Sequence, residues 1–327
     1  MSRLEVLKRI VDLVGRDRLL LTRIDDCWPA YGALRLNGES VQIALFAGAI
    51  GLSSRNRDDV ERRFQNPSNN RPMEWDPHFL PLLIGLWDSD PLVLVRRPVL
   101  FAANPDIRRG KSTRFSVFSK LTSLVLASEK GWSEDVSSTG EVLYAFNPKL
   151  LPAFVELSRN KVYVPEISMT AVVDASGVNS EADQDPAERA RRATSALVRS
   201  AKFGQNVVEA YGGFCAICGL DFGLVQGAHI YPASAPESPD SPWNGIALCC
   251  NHHAAFDKHQ IWINPESREV VFHPELISRR NLSDSCYAFI DHARPTLAEP
   301  LTPQFRPRTE MFEQRYGYFQ DKYLWLG

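Results

Sequence analysis

Apolar residues recur at helical spacing from Leu4 to Val14, which predicts an opening helix. Val41–Ile50 is an apolar run that fits a strand or a buried helix, and Asp58–Phe64, with Val60 and Phe64 among charges, reads as a surface helix. Phe79–Trp87 and Leu92–Val95 are apolar runs separated by Asp88-Ser89-Asp90-Pro91, which is turn chemistry. Arg114–Phe118 alternates as a strand does, Ser119–Ala127 reads as a helix that Gly131 can end, Glu141–Phe146 as a strand, and Leu150–Leu157 as a short helix behind Pro148. The first half is therefore mixed α and β, with no repeat.

Ala175–Pro186 is poor in large apolar residues and reads as a linker between a domain at 1–174 and one at 187–327. From Ala187 to Tyr211 the pattern turns helical: Leu197, Val198, Phe203, Val207, Val208 and Tyr211 form a stripe that Gly212 and Gly213 terminate. Beyond His292 the chain is rich in proline and closes on Tyr316, Tyr318, Phe319, Tyr323 and Trp325, which read as packing aromatics of a helical extension. The expected fold class is α+β, a mixed α/β N-terminal domain followed by a small C-terminal domain.

A chain of 327 residues has room for two cores. No stretch approaches the roughly 20 apolar residues of a membrane span, and the opening segment mixes charges with its leucines, so the expected compartment is the cytoplasm. A net charge of −2 is not that of a protein that coats nucleic acid without discrimination. Local basic clusters do occur, at Arg189, Arg191, Arg192, Arg199 and Lys202 and at Arg108, Arg109, Lys111 and Arg114. Each is either a solvated surface or a phosphate contact.

The chemistry is concentrated further on. Four of six cysteines lie between Cys215 and Cys250, and five of seven histidines between His229 and His273. Cys215-Ala-Ile-Cys218 followed by Gly219 is a knuckle that aims two sulfurs at one point; Cys249 and His252 repeat the spacing. Together they make a closed four-ligand site for a structural Zn²⁺, with Cys250 facing away from its neighbour.

Between the knuckles stand Ala228-His229-Ile230-Tyr231-Pro232, then Trp243-Asn244-Gly245-Ile246-Ala247-Leu248, then Cys249-Cys250-Asn251-His252-His253-Ala254-Ala255-Phe256-Asp257. In these elements and their order the stretch from about Arg199 to Pro265 resembles the HNH endonuclease family. The resemblance implies a ββα-metal finger: a hairpin carrying His229, a loop with Asn244, and a helix starting near Asn251. It implies a metal-dependent DNA endonuclease in which His229 is the general base, with products bearing a 5′-phosphate and a 3′-hydroxyl. A neutral imidazole suits that role near pH 7, and an asparagine can orient its ring. On a helix His253 and Asp257 share a face and can hold one divalent metal, Mg²⁺ or Mn²⁺, with other divalent ions admitted by the imidazole. One departure stands out: many family members carry Asp or His directly before the base, where this chain has Ala228.

A ββα finger grips backbone, so sequence or modification choice falls to residues 1–174, a DNA-sensing domain by analogy with restriction enzymes. There Arg108, Arg109, Lys111 and Arg114, with Arg55, Arg57, Arg62 and Arg63, are candidate phosphate contacts, joined by Arg199 and Lys202 further on. Trp28, Trp75, Trp87 and Trp132 read first as core aromatics and second as platforms for a flipped or modified base. The expected partner is double-stranded DNA, modified or not. A single site cuts one strand at a time, so double-strand cleavage calls for a homodimer or two encounters. The alternatives are a catalytically decayed zinc-finger DNA-binding protein, which Ala228 favours, and a nuclease acting on RNA.

Overall fold

The computed structural model describes all residues except 23–26, 37, 54, 56–59, 68–70, 180–184 and 327. Arg57 and much of the expected 175–186 linker thus lie outside the described residues. The chain falls into two compact units, 1–198 and 199–327.

Unit 1 is built on a 9-stranded sheet. Its strands are β1 Leu19–Leu21, β2 Ala30–Leu36, β3 Glu39–Leu52, β4 Glu61–Gln65, β5 Leu80–Trp87, β6 Val99–Ala103, β7 Ser116–Lys120, β8 Trp132–Val136 and β9 Val142–Phe146. Their order is β1-β2-β3-β5-β6-β9-β8, with β4 pairing β3 and β7. The β3–β5 pair is parallel, the other pairs antiparallel. Ile43–Ala47 of β3 are buried on both faces, which is why that strand reads as a continuous apolar run rather than an alternation.

Helix α1 (Arg3–Val14) begins at a capping box, with Ser2 and Glu5 each accepting the other's backbone N–H, and buries Val6, Leu7, Ile10, Val11 and Val14. Helices α2 (Leu121–Lys130), α3 (Leu151–Asn160) and α4 (Glu166–Ser176) follow. Gly131 ends α2 in the left-handed region at φ 94°. The long α5 (Pro186–Ala210) crosses the border between the units: Ala190 and Val198 lie in the core of unit 1, Phe203 and Val207 in that of unit 2.

Two expectations fail. Residues 61–65 form β4, not a surface helix, and Val60 is half exposed. Here Arg62 and Phe64 point inward at period two, and the buried Arg62 is tolerated because it binds Asp90 through Nη2 at 2.7 Å. Leu92–Val95 is loop, with Leu94 fully outward; Asp90, which also accepts from Leu92 N–H and Trp87 Nε1–H, turns the chain there.

Unit 2 opens with the end of α5. It continues through β10 (Val225–His229), β11 (Gly245–Cys249), α6 (Cys250–Asp257), β12 (Ile261–Ile263) and β13 (Val270–Phe272). It closes with α7 (Pro274–Ser278), α8 (Asp284–Asp291) and α9 (Thr309–Tyr318). The β10–β11 hairpin lies under α5 at van der Waals contact: a Cβ on Gly227 would stand 2.7 Å from Gly204 Cα. No described helix is long and apolar enough to cross a membrane.

Candidate active site and cysteine–histidine cluster

Gly212 and Gly213, both at positive φ, stop α5 and turn the chain into the first knuckle. Gly219 N–H returns to Cys215 C=O at 2.8 Å, and Ala216 N–H bonds Ala247 C=O at 2.8 Å, which fastens the knuckle to β11. Cys249 ends β11 and His252 sits in the first turn of α6, so the second pair is set by the strand-to-helix junction. The four ligand atoms lie within 4.8 Å of one another. His252 Nδ1 is 3.2 Å from Cys249 Sγ and 3.8 Å from Cys215 Sγ, and Cys218 Sγ is 3.9 Å from Cys249 Sγ. Ligands at about 2.3 Å (S) and 2.0 Å (N) around a tetrahedral zinc have edges of roughly 3.5–3.8 Å, so the cluster has the size of a zinc site. Cys250 turns outward onto Leu224 C=O.

Electrostatics agree. Burial opposes ionisation of all three thiols and pushes Cys218 up to about 12 and Cys249 upward. Only at Cys215 do the His252 ring and the backbone donors of Cys249, Cys218 and Ile217 outweigh burial, bringing it down to about 6. A divalent cation among the three sulfurs would favour the ionised form of each.

His229 ends β10, paired with Gly245. Its ring stacks on Phe203 of α5 at 3.6 Å between centroids, and its Nε2 lies 3.0 Å from Asp240 Oδ1. An Nε2–H held by that carboxylate leaves Nδ1 as the lone-pair nitrogen. Burial lowers the ring's pKa; Asp240 and Asp257 pull it up, and His253 lowers it. His253 and Asp257 are thus electrical neighbours of His229. On α6, His253 Nε2 stands 3.3 Å from Asp257 Oδ2, while its Nδ1 is 2.9 Å from Gln226 Oε1. Two ligand atoms about 2.1 Å from one octahedral cation are separated by roughly 3 Å. The pair is therefore spaced as metal ligands are, and Asp257 remains mostly exposed.

Asn244 does something other than orient the His229 ring. It is fully buried; its Oδ1 accepts Tyr231 N–H at 2.8 Å, and its Nδ2 donates to Tyr231 C=O and Pro239 C=O at 3.0 Å each. It braces the loop that carries Asp240. Asp240 and Gln226, which hold the two histidine rings, went unread in the sequence. Asp240 lies in a Pro-Asp-Ser-Pro loop with no periodic signal, and Gln226 meets His253 only once the hairpin register is set. Ala228 is buried in the core and offers no ligand atom.

In unit 1 the basic candidates divide. Arg108 is not available to phosphate: it is buried and donates both Nη groups to Glu141 at 2.7 Å. Arg109 lies over the Trp75 ring at 4.6 Å, and Arg114 donates to Gln65 at 2.6 Å. Lys111 is exposed, as are Arg199 and Lys202 of unit 2. The four tryptophans are core residues, from 1% to 8% exposed, which leaves none as an open platform.

Comparison with known proteins agrees with this geometry over part of the chain. Residues 215–264 match the family model described as HNH endonuclease, and residues 42–155 match one described as Methylase-associated X1. No curated protein matches the chain. A solved structure entitled "Modification dependent TagI restriction endonuclease" aligns with 85% of this chain and 81% of its own at 14% identity, with a TM-score of 0.33, too loose a likeness to bear on the fold. From Cys215 to Asn264, then, this chain carries an HNH endonuclease domain built on a Cys/His cluster.

Proposed function

We propose that the chain is a metal-dependent endonuclease that hydrolyses phosphodiester bonds of double-stranded DNA in restriction. The observation that carries this reading is the pairing, inside an HNH-type segment, of a buried imidazole of lowered pKa with the His253–Asp257 pair. The label of the 42–155 match, Methylase-associated X1, supports a setting of DNA modification.

His229 Nδ1 takes the proton of a water whose oxygen attacks phosphorus, and the 3′-oxygen leaves, gaining a proton from solvent to give a 3′-hydroxyl and a 5′-phosphate. Asp240 holds the ring in the tautomer that accepts at Nδ1 and stabilises the imidazolium. His253 and Asp257 would hold a divalent cation, Mg²⁺ or Mn²⁺, which would neutralise phosphate charge and assist the leaving oxygen. Gln226 accepts from His253 Nδ1–H and so leaves the Nε2 lone pair beside Asp257 Oδ2, where it would serve as a ligand. Cys215, Cys218, Cys249 and His252 would hold a structural Zn²⁺.

Removing either proposed metal ligand tests the assignment. His253→Ala and Asp257→Ala should each raise the Mn²⁺ concentration needed for half-maximal plasmid nicking at least about tenfold. An unchanged metal requirement in both variants contradicts it. Ala228 motivates a second reading, a DNA-binding protein without cleavage; nicking that depends on metal and on His253 excludes it.

A further inference from the structure

A cavity of about 860 Å³ opens at one end of the unit 1 sheet. It exists because β6 is too short. β6 stops at Ala103 opposite Leu83, and β9 pairs with it only from Tyr144 onward. Leu80–Leu82 of β5 and Val142–Leu143 of β9 therefore run past its end, and on that side neither has a strand partner among the described residues. All but Leu143 of these residues line the cavity. Strand backbone without a ladder partner leaves hydrogen-bonding groups in the plane of the sheet, and here that edge, to which Pro81 contributes no N–H, borders a half-open cavity.

The walls are aromatic: Trp75, Phe79, Tyr144 and Phe154 contribute. Tyr163, 57% exposed, and Ile107, 51% exposed, stand at the mouth. The lining cations are at the rim rather than inside. Lys161 has 84% of its side chain exposed, Arg109 is exposed over Trp75, and Arg159 is held by Glu39 and Glu156. The one buried arginine nearby, Arg108, is committed to Glu141.

An occupant with flat faces, in-plane hydrogen-bonding edges and its negative charge left outside is a nucleobase still attached to its strand. A free nucleotide would carry its phosphate in, where no cation waits. The volume lies in the usual range for a small-molecule site. A base stacked in a duplex cannot enter, so entry requires extrusion.

We propose that this cavity receives one base extruded from duplex DNA and reads its chemical modification. The proposal rests on the DNA-endonuclease reading above. It gives unit 1 a base-binding site that Trp28, Trp87 and Trp132, buried in the core, do not form.

The experiment uses the full chain carrying His229→Ala, which binds without cutting. The probes are duplexes containing 5-methylcytosine, 5-hydroxymethylcytosine, N6-methyladenine or no modification, each with 2-aminopurine beside the test base. At least one modified duplex should bind about tenfold or more tightly than the unmodified one, with a rise in 2-aminopurine fluorescence. Tyr163→Ala, which removes a stacking face, and Ile107→Trp, which blocks the mouth, both change exposed side chains. Each should abolish preference and fluorescence rise while the melting temperature and binding to unmodified duplex stay unchanged. Absence of preference and of any fluorescence change across the panel, with wild-type cleavage of DNA intact, overturns the cavity assignment alone. So does a preference that survives both substitutions. Failure of the wild-type chain to cut or bind any duplex overturns the DNA reading as well.

Discussion

At the scale of single residues, His229 is set by opposing influences. Burial and His253 favour its neutral form, and Asp240 and Asp257 its charged form, with burial the largest and the balance below the ordinary histidine value of 6.5. A base must be neutral to work, so a lowered pKa keeps it ready at pH 7 and confines the loss of activity to more acid solution. The acid limb of kcat/KM should therefore fall below pH 6.5. Asp240→Asn removes an influence that raises the pKa, so it should move that limb further down while slowing the maximal rate by about tenfold or more through loss of ring orientation. An acid limb that stays in place in Asp240→Asn removes Asp240 from the mechanism.

Which residues were legible follows from range. The Cys/His cluster could be read because Cys-x2-Cys and Cys-x2-His are local pairs whose geometry is fixed within one turn. That His253 and Asp257 adjoin could be read because one helix carries both. The contacts of Asp240, Gln226 and Asn244 could not, since each is made by a loop or across a hairpin. Arg108 looked free for the same reason, its partner Glu141 being set beside it only by the sheet.

Among elements, the local periodicity of α1, α2, α3 and α5 predicted them closely, while β4 was mistaken for a helix. Val60 and Phe64 have helical spacing, yet the inward residue is Arg62, whose charge hides it from any apolar pattern until Asp90 is in place. The element that joins the two halves of the proposed active site was equally silent. Arg315 of α9 is buried; it donates to Ile230 C=O at 3.1 Å and to Phe256 C=O at 2.7 Å. These carbonyls adjoin His229 and Asp257, so one guanidinium ties the end of β10 to the end of α6. Its Nε also donates to Tyr323 O–H at 2.8 Å, and its plane lies over Phe256. Arg315→Met should destabilise unit 2 by about 3 kcal/mol through stranded carbonyls. Arg315→Lys should retain the fold by circular dichroism and still nick DNA about tenfold to a hundredfold more slowly, because small displacements of the proposed base from the His253–Asp257 pair would be costly. A Lys variant with full rate would show that the tie does not set the spacing.

For the molecule as a whole, composition allowed two cores, and two compact units are present. Their border at Val198 and Arg199 lies inside α5, whose early turns pack on the first core and whose later turns pack on the second. A helix that serves two cores carries no break in its pattern, so the sequence had no mark there. The Cys/His cluster belongs wholly to unit 2. A strong chelator should therefore expose the backbone amides of β10, β11 and α6 in hydrogen exchange while β3, β5 and β6 keep their protection. Equal loss of protection in both sets, or in neither, contradicts a structural zinc confined to that unit.

The central claim is that His229 activates the water for phosphodiester cleavage. The direct measurement is the single-turnover nicking rate of a supercoiled plasmid in saturating Mn²⁺, for the wild type and for His229→Ala loaded with equal zinc. A loss of about a hundredfold or more with unchanged DNA affinity is the expected result. Equal rates for the two proteins would contradict it.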